Sequence, residues 1–186
     1  MDEVAAARDA LARFCQTYAA SVPPLDVEEL AGSLCRLRVQ TADDLGPIAG
    51  LAPDVQLSGL LLPARWEIWV RSDEPAPRRR FTVAHEIGHH LLHSDGKAVL
   101  CRPADVETAQ GTERAREREA NRFAAELLMP EAMVREAADR DGPDPIALAP
   151  RFGVSDVAMA YRLVTLRYME ALPVDLQAEV DRWRGM

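Results

Sequence analysis

The chain has 186 residues, of which 48% are hydrophobic and 28% charged, with 22 basic against 30 acidic side chains and a net charge of −8. That composition supplies a core for one ordinary domain and excludes wholesale disorder, while the acidic balance lacks the basic footprint of a general nucleic-acid or membrane-surface binder. No apolar run reaches the ~18 residues of a membrane span, and Met1-Asp2-Glu3 does not open a secretory signal, so a cytoplasmic protein is expected.

Residues 2–20 place Val4, Leu11, Phe14, Cys15 and Tyr18 at helical spacing, and Pro23-Pro24 ends that segment. A second helix is predicted from Asp26, whose capping-box partner is Glu29, with Val27, Leu30 and Leu34 on one face. Residues 36–41 alternate polar and apolar and read as a half-buried strand; 57–62 and 65–71 read as two more. In the last of these, Trp66, Ile68 and Val70 share one face and Glu67, Trp69 and Arg71 the other. A loop holding Pro75 and Pro77 leads to the histidine segment, with Thr82 as the expected helix cap. A helix follows from about Thr112 to Met129, closed by Pro130, and a short charged one over 131–140. Pro143, Pro145 and Pro150 mark a joint, after which 146–169 form two short helices and Pro173 opens a last one. Mostly helix with a small early sheet is an α+β pattern. Cys15, Cys35 and Cys101 are odd in number and free of any C-x-x-C, as expected of reduced thiols; Cys101 reads as a small buried hydrophobe.

All four histidines (His85, His89, His90 and His93) fall within nine residues, and three of those residues are unusual together: His85-Glu86-x-x-His89. On a helix, positions i and i+4 lie one above the other, so both imidazoles can reach one metal ion. Glu86 lies about 100° further round, badly placed for a ligand but well placed for a water held there. This is the arrangement of metal-assisted hydrolysis: zinc acidifies the water and polarises a carbonyl, and the carboxylate takes the proton. Val83, Ala84, Ile87, Leu91 and Leu92 give the helix its buried side. His90 points away toward solvent, and His93 extends the ligand face as an orienting, substrate-facing or merely structural side chain. Zinc is the default metal for two histidines and a carboxylate, and manganese suits the same set.

The third ligand has to come from elsewhere, because no H-x-x-G-x-x-H continuation follows. On the later helix, Ala120, Phe123, Ala124, Leu127 and Leu128 form a buried stripe flanked by Glu117 and Glu119. Helical geometry slightly favours Glu117, and Glu113 also fits; periodicity does not decide among them.

These two segments resemble the ImmA/IrrE-type metallopeptidases. The likeness lies in Arg80-Phe-Thr-Val-Ala-His-Glu-Ile-Gly-His89 with Leu91-Leu92-His93, and in Glu119-Ala-Asn-Arg-Phe-Ala-Ala-Glu-Leu-Leu-Met-Pro130. The Asp26–Leu34 helix, the strands and Ser58-Gly59 also match, so the resemblance covers about residues 20–170. It implies a compact zincin-like fold with a glutamate ligand, here Glu119, the residue directly before Ala-Asn. It implies a metallopeptidase domain over 1–145 with a C-terminal helical region, 146–186, packed on it. It further implies a zinc endopeptidase in which Glu86 is the proton-transferring carboxylate and the substrate is a helix-turn-helix repressor tied to stress or mobile-element genes. Longer relatives carry an additional sensor domain, which a chain ending soon after residue 170 is expected to lack. The substrate of a zincin adds to an exposed strand edge, for which 65–71 is the candidate here, a core strand being the even alternative. Tyr161, His93 and Arg162 are the candidates for a second oxyanion donor beside the metal.

Residues 147–168 resemble a helix-turn-helix, with Phe152-Gly153-Val154 as the turn and Ser155 as the cap. From Arg151 to Glu170 there are three arginines against two acids, too few donors for a DNA-reading surface. A protein substrate is therefore expected rather than DNA. The rival reading is a non-catalytic scaffold that binds a repressor or DNA without turnover.

Overall fold

The computed structural model describes residues 2–18, 23–52, 55–93, 98–101 and 111–177, with the side chains of Thr17, Tyr18 and Cys101 outside that description. In chain order its elements are α1 (Glu3–Tyr18), α2 (Val27–Cys35), β1 (Arg38–Ala42), β2 (Gly59–Leu62), β3 (Glu67–Arg71), α3 (Ala76–Leu92), β4 (Val99–Cys101), α4 (Gly111–Leu128), α5 (Glu131–Asp141), α6 (Pro145–Phe152) and α7 (Asp156–Thr165). The fold is α+β, with a small mixed sheet against a helical layer. The helical turn expected after Pro173 begins at 174–177, and its continuation lies outside the described residues.

Strand order is β1-β3-β2-β4, with β1 parallel to β3 and the other pairs antiparallel. The register sets Leu61 opposite Ile68 and Leu60 opposite Trp69. Because side chains alternate, Leu61, Ile68 and Val70 join the main core with the helices, whereas Leu60 and Trp69 pack under the 45–57 segment with Leu45 and Leu57. Strand β3 is thus paired on both sides, which corrects its reading as a substrate-accepting edge. Its apolar residues are buried between two neighbours, leaving no backbone row free. Trp66 also departs from the expected strand face. A 3₁₀ turn over Pro63–Arg65 ends with Trp66 at φ 57°, half-exposed and outside the strand.

Local chemistry explains the helix ends. Asp26 caps α2, accepting from the backbone N–H groups of Glu28 and Glu29 at 3.2 and 3.0 Å. Helix α3 starts six residues before Thr82, at Ala76, since Pro77 in its first turn has no N–H to leave unsatisfied. Thr82 is consequently mid-helix, and its hydroxyl donates to the Arg78 carbonyl at 3.1 Å instead of capping. Asp144 caps α6, and Ser155 caps α7 by accepting from the Ala158 N–H. Between them Gly153 takes φ 64°, completing the helix-turn-helix corner. Arg80 of α3 packs against that corner, donating to the Gly153 carbonyl at 3.0 Å and the Leu25 carbonyl at 2.7 Å.

Helix α3 is the centre of the molecule. Residues Thr82 to His89 are all buried, so it is covered on every side. It packs most extensively against α4, and the contact is close because position 88 is glycine. A Cβ there would meet the Phe123 ring at 3.0 and 3.2 Å and the Ala120 Cα at 3.3 Å. The C-terminal pair belongs to the same core: Leu148, Phe152, Met159 and Leu163 are buried in one cluster with α1, α3 and α4. A buried ion pair pins it. Arg162 of α7 donates to Glu126 of α4 and, at 2.9 Å, to the Met129 carbonyl, while Arg8 of α1 approaches Glu126 from outside at 2.8 Å. Cys15 and Cys35 are in no disulfide, and burial pushes the Cys35 thiol up to about 11.

Two stability outcomes follow from these contacts. Arg162→Ala leaves the buried Glu126 carboxylate with the exposed Arg8 and the Glu131 N–H at 3.5 Å and should lower the unfolding free energy in urea by about 3 kcal/mol. Gly88→Val forces branched atoms into Phe123 and should cost about 1–3 kcal/mol in the same measurement.

Candidate metal centre

The i, i+4 spacing of His85 and His89 on α3 brings their Nε2 atoms within 3.0 Å of each other. Across the α3–α4 contact, Glu117 reaches both, with Oε2 3.2 Å from His85 Nε2 and Oε1 3.1 Å from His89 Nε2. All three side chains are buried, and their potential ligand atoms lie within 4.8 Å of one another. Burial works against a charge on Glu117, yet hydrogen bonds and the field of the two imidazoles outweigh it and bring its carboxyl down to about 2. Burial likewise depresses His89.

Glu119 is not part of this convergence. Two residues along a helix turn a side chain through about 200°, so Glu117 and Glu119 cannot address the same point. Glu119 instead bonds His93 Nε2 through Oε2 at 2.8 Å. The resemblance gives the ligand role to Glu119; in the structure it is Glu117, the residue helical geometry slightly favours, that lies beside both imidazoles. His93 closes α3 and sets its Nδ1 3.1 Å from Nδ1 of His89.

Glu86 is fully buried, and neither carboxylate oxygen has a hydrogen-bond partner among the described residues. Burial, reinforced by the Glu117 charge and opposed by His85, pushes it up to about 8. An unpartnered buried carboxyl is costly, on the order of 1–3 kcal/mol or more. One beside two imidazoles and a second carboxylate marks a place where a further polar species belongs.

The donor set fits a metal ion. Nitrogen and oxygen ligands ~2.0–2.1 Å from a tetrahedral zinc stand roughly 3.3 Å apart, close to the 3.0–3.2 Å separations here. Both Nε2 atoms and the Glu117 carboxylate face one point, where a cation can be held by all three.

Of the remaining expectations, His90 is only partly exposed, lies 6.0 Å edge-on from the Trp66 ring, and is depressed by burial. Two oxyanion candidates have other partners: Arg162 is held by Glu126 and Met129, His93 by Glu119 and His89. Tyr161 is exposed on α7. Sequence reasoning missed the role of Asn121, whose Oδ1 lies 2.9 Å from His85 Nδ1. The available signal was spacing, since Asn121 follows Glu117 by four residues and so shares its face.

The radiation response metalloprotease IrrE of Deinococcus radiodurans is 28% identical over 173 residues, covering 93% of this chain and 49% of that protein. Its counterpart in Deinococcus deserti is 30% identical over 171 residues, covering 92% and 57% respectively. The chain thus spans about half the length of these curated relatives. A transcriptional regulator of Mycobacterium tuberculosis shares the fold, with a TM-score of 0.58 at 23% identity over 85% of this chain and 46% of the other. No described helix is long and apolar enough to cross a membrane. Residues 45–164, which include α3, α4 and every residue of the buried cluster, match the IrrE N-terminal-like domain of the Peptidase_M78 family, and the chain belongs to that metallopeptidase family.

Proposed function

We propose that the chain is a zinc-dependent endopeptidase whose metal is held by His85, His89 and Glu117 and whose proton-transferring carboxylate is Glu86. The observation that carries this reading is Glu86 itself, fully buried beside the His85–His89–Glu117 convergence with both oxygens unpartnered among the described residues. A structural carboxylate would be paired; this one is kept free at a cost. Zinc at that point would supply Lewis acidity, acidifying a water and polarising the scissile carbonyl.

The rest is the work of the chain's own side chains. Glu117 brings negative charge to the two imidazoles. Glu86 takes a proton at a carboxylate oxygen, holds it in a dry pocket, and returns it to the leaving amine. Its elevated proton affinity, about 8 before any cation is bound, suits a group that must both accept and give up a proton near neutral pH.

For the substrate, the reading is a helix-turn-helix transcriptional repressor, whose cleavage releases a stress-response or mobile-element gene set. Support comes from the resemblance and from the radiation-response role in the names of the Deinococcus relatives. It also comes from the burial of Arg162, the only basic residue of α7, in an ion pair with Glu126. A DNA-reading helix would present that group outward.

Purified without chelators, the protein should contain zinc near one equivalent by elemental analysis, and Glu117→Gln should hold well below that. Glu86→Gln should keep its zinc while kcat for repressor cleavage falls about 10²–10⁴-fold. The assay is incubation with the helix-turn-helix protein encoded beside it, with and without chelator, and product masses read by mass spectrometry. Undiminished cleavage by Glu86→Gln, or cleavage that persists in chelator, would overturn the mechanism.

A further inference from the structure

Three polar side chains around the metal centre have no place in the ligand set: Glu119, His93 and Asn121. Their hydrogen bonds run in one direction only. A carboxylate can only accept, so at 2.8 Å the Nε2–H of His93 donates to Glu119. A neutral His93 then has a bare Nδ1, which can only accept, and the atom facing it at 3.1 Å is Nδ1 of His89. His89 must therefore carry a proton on Nδ1, so the nitrogen left to bind a metal is Nε2, which faces His85 and Glu117. On the other imidazole, Asn121 Oδ1 can only accept, so His85 also carries a proton on Nδ1, donated at 2.9 Å.

We infer that Glu119 and His93 form an outer relay that fixes His89 as an Nε2 metal ligand, with Asn121 fixing His85 in the same way. These are positioning residues: they act on the metal through the two ligand imidazoles. The relay spans both helices, since His93 ends α3 and Glu119 and Asn121 lie on α4. It accounts for the second glutamate of the Glu117-x-Glu119 pair, which faces away from the ligand atoms yet holds a nearly buried histidine. Outer partners of this kind fix ring orientation and raise ligand basicity, and their loss typically weakens metal binding by ~10–100-fold.

The inference rests on the ligand set proposed above, and a double-mutant cycle on zinc affinity separates the two. Affinity is read by competition with a chromophoric chelator, not by peptidase activity. His93→Leu, which leaves the His89 Nδ1–H without an acceptor, should weaken zinc binding ~10–100-fold. His93→Gln, which offers an amide oxygen there, should recover most of the loss. Glu119→Ala should weaken binding in the wild-type background and add nothing in the His93→Leu background, because it acts only through His93. If Glu119→Ala costs as much in the His93→Leu background as in the wild type, Glu119 acts on the metal independently and the relay is overturned. Long-range proton–nitrogen NMR of the metal-free protein at mildly alkaline pH tests the same hydrogen-bond order without zinc. A bare Nδ1 and a protonated Nε2 on His93 support the relay even if zinc binding fails and the ligand set falls. A proton on Nδ1 of His93 overturns it even where zinc binds.

Discussion

The close crossing of α3 and α4 at Gly88 is the constraint on which the site depends. With no Cβ at that position, the Phe123 ring lies against the α3 backbone and Ala120 comes up beside it. The small residues at 120 and 124 let α4 follow this approach along its buried stripe. One turn before Ala120, Glu117 is thereby carried to within about 3.2 Å of both imidazoles. Had a larger residue separated the helices, the carboxylate would stop short of the ligand atoms, and two histidines alone would hold a metal poorly. An apolar packing detail thus sets a polar geometry.

The surrounding core makes an otherwise unfavourable cluster tolerable. His85, Glu86, His89 and Glu117 are all buried, and Glu86 has no hydrogen-bond partner among the described residues. Such a group costs stability, and α3 keeps it in place because it is packed on every side, by α4, the sheet and α2. The apolar residues Val83, Ala84, Ile87, Phe123 and Leu127 belong to one continuous core with α1 and the C-terminal helices. Three carboxyl groups are drawn into this frame: Glu117 and Glu126 with partners, Glu86 with none among the described residues.

The C-terminal helices show how a familiar local motif can serve a different purpose. The corner at Gly153 and the Ser155 cap have helix-turn-helix form. Yet Met159, Leu163 and Arg162 of the second helix all face inward, and Arg162 ends on Glu126 of α4. Arg80 of α3 reaches the same corner through the Gly153 carbonyl. The pair therefore braces α3 through Arg80 and α4 through Glu126, and its chief basic group is an internal tie.

Much was legible in the chain alone. The His85-Glu86-x-x-His89 spacing, the α+β order, the Asp26 and Ser155 caps and the Gly153 turn all depend on neighbours within a few residues, and local periodicity and capping chemistry express them directly. Three features depended on long-range packing. Strand β3 was readable as a strand but not as an interior one, because pairing on both sides is a property of the whole sheet. The start of α3 at Ala76 was obscured by Pro75 and Pro77, which read as loop until seen as a pre-organised first turn. The choice of Glu117 over Glu119 turned on which side of α4 faces α3. Periodicity left both carboxylates beside the apolar stripe; only the approach at Gly88 sends one to the imidazoles and the other to His93. The two imidazoles and the Glu86 carboxylate are legible in the chain because residue types and helical spacing are local. Which acidic side chain of α4 faces the imidazoles is legible only in the fold, because it depends on the distance and rotation between two helices.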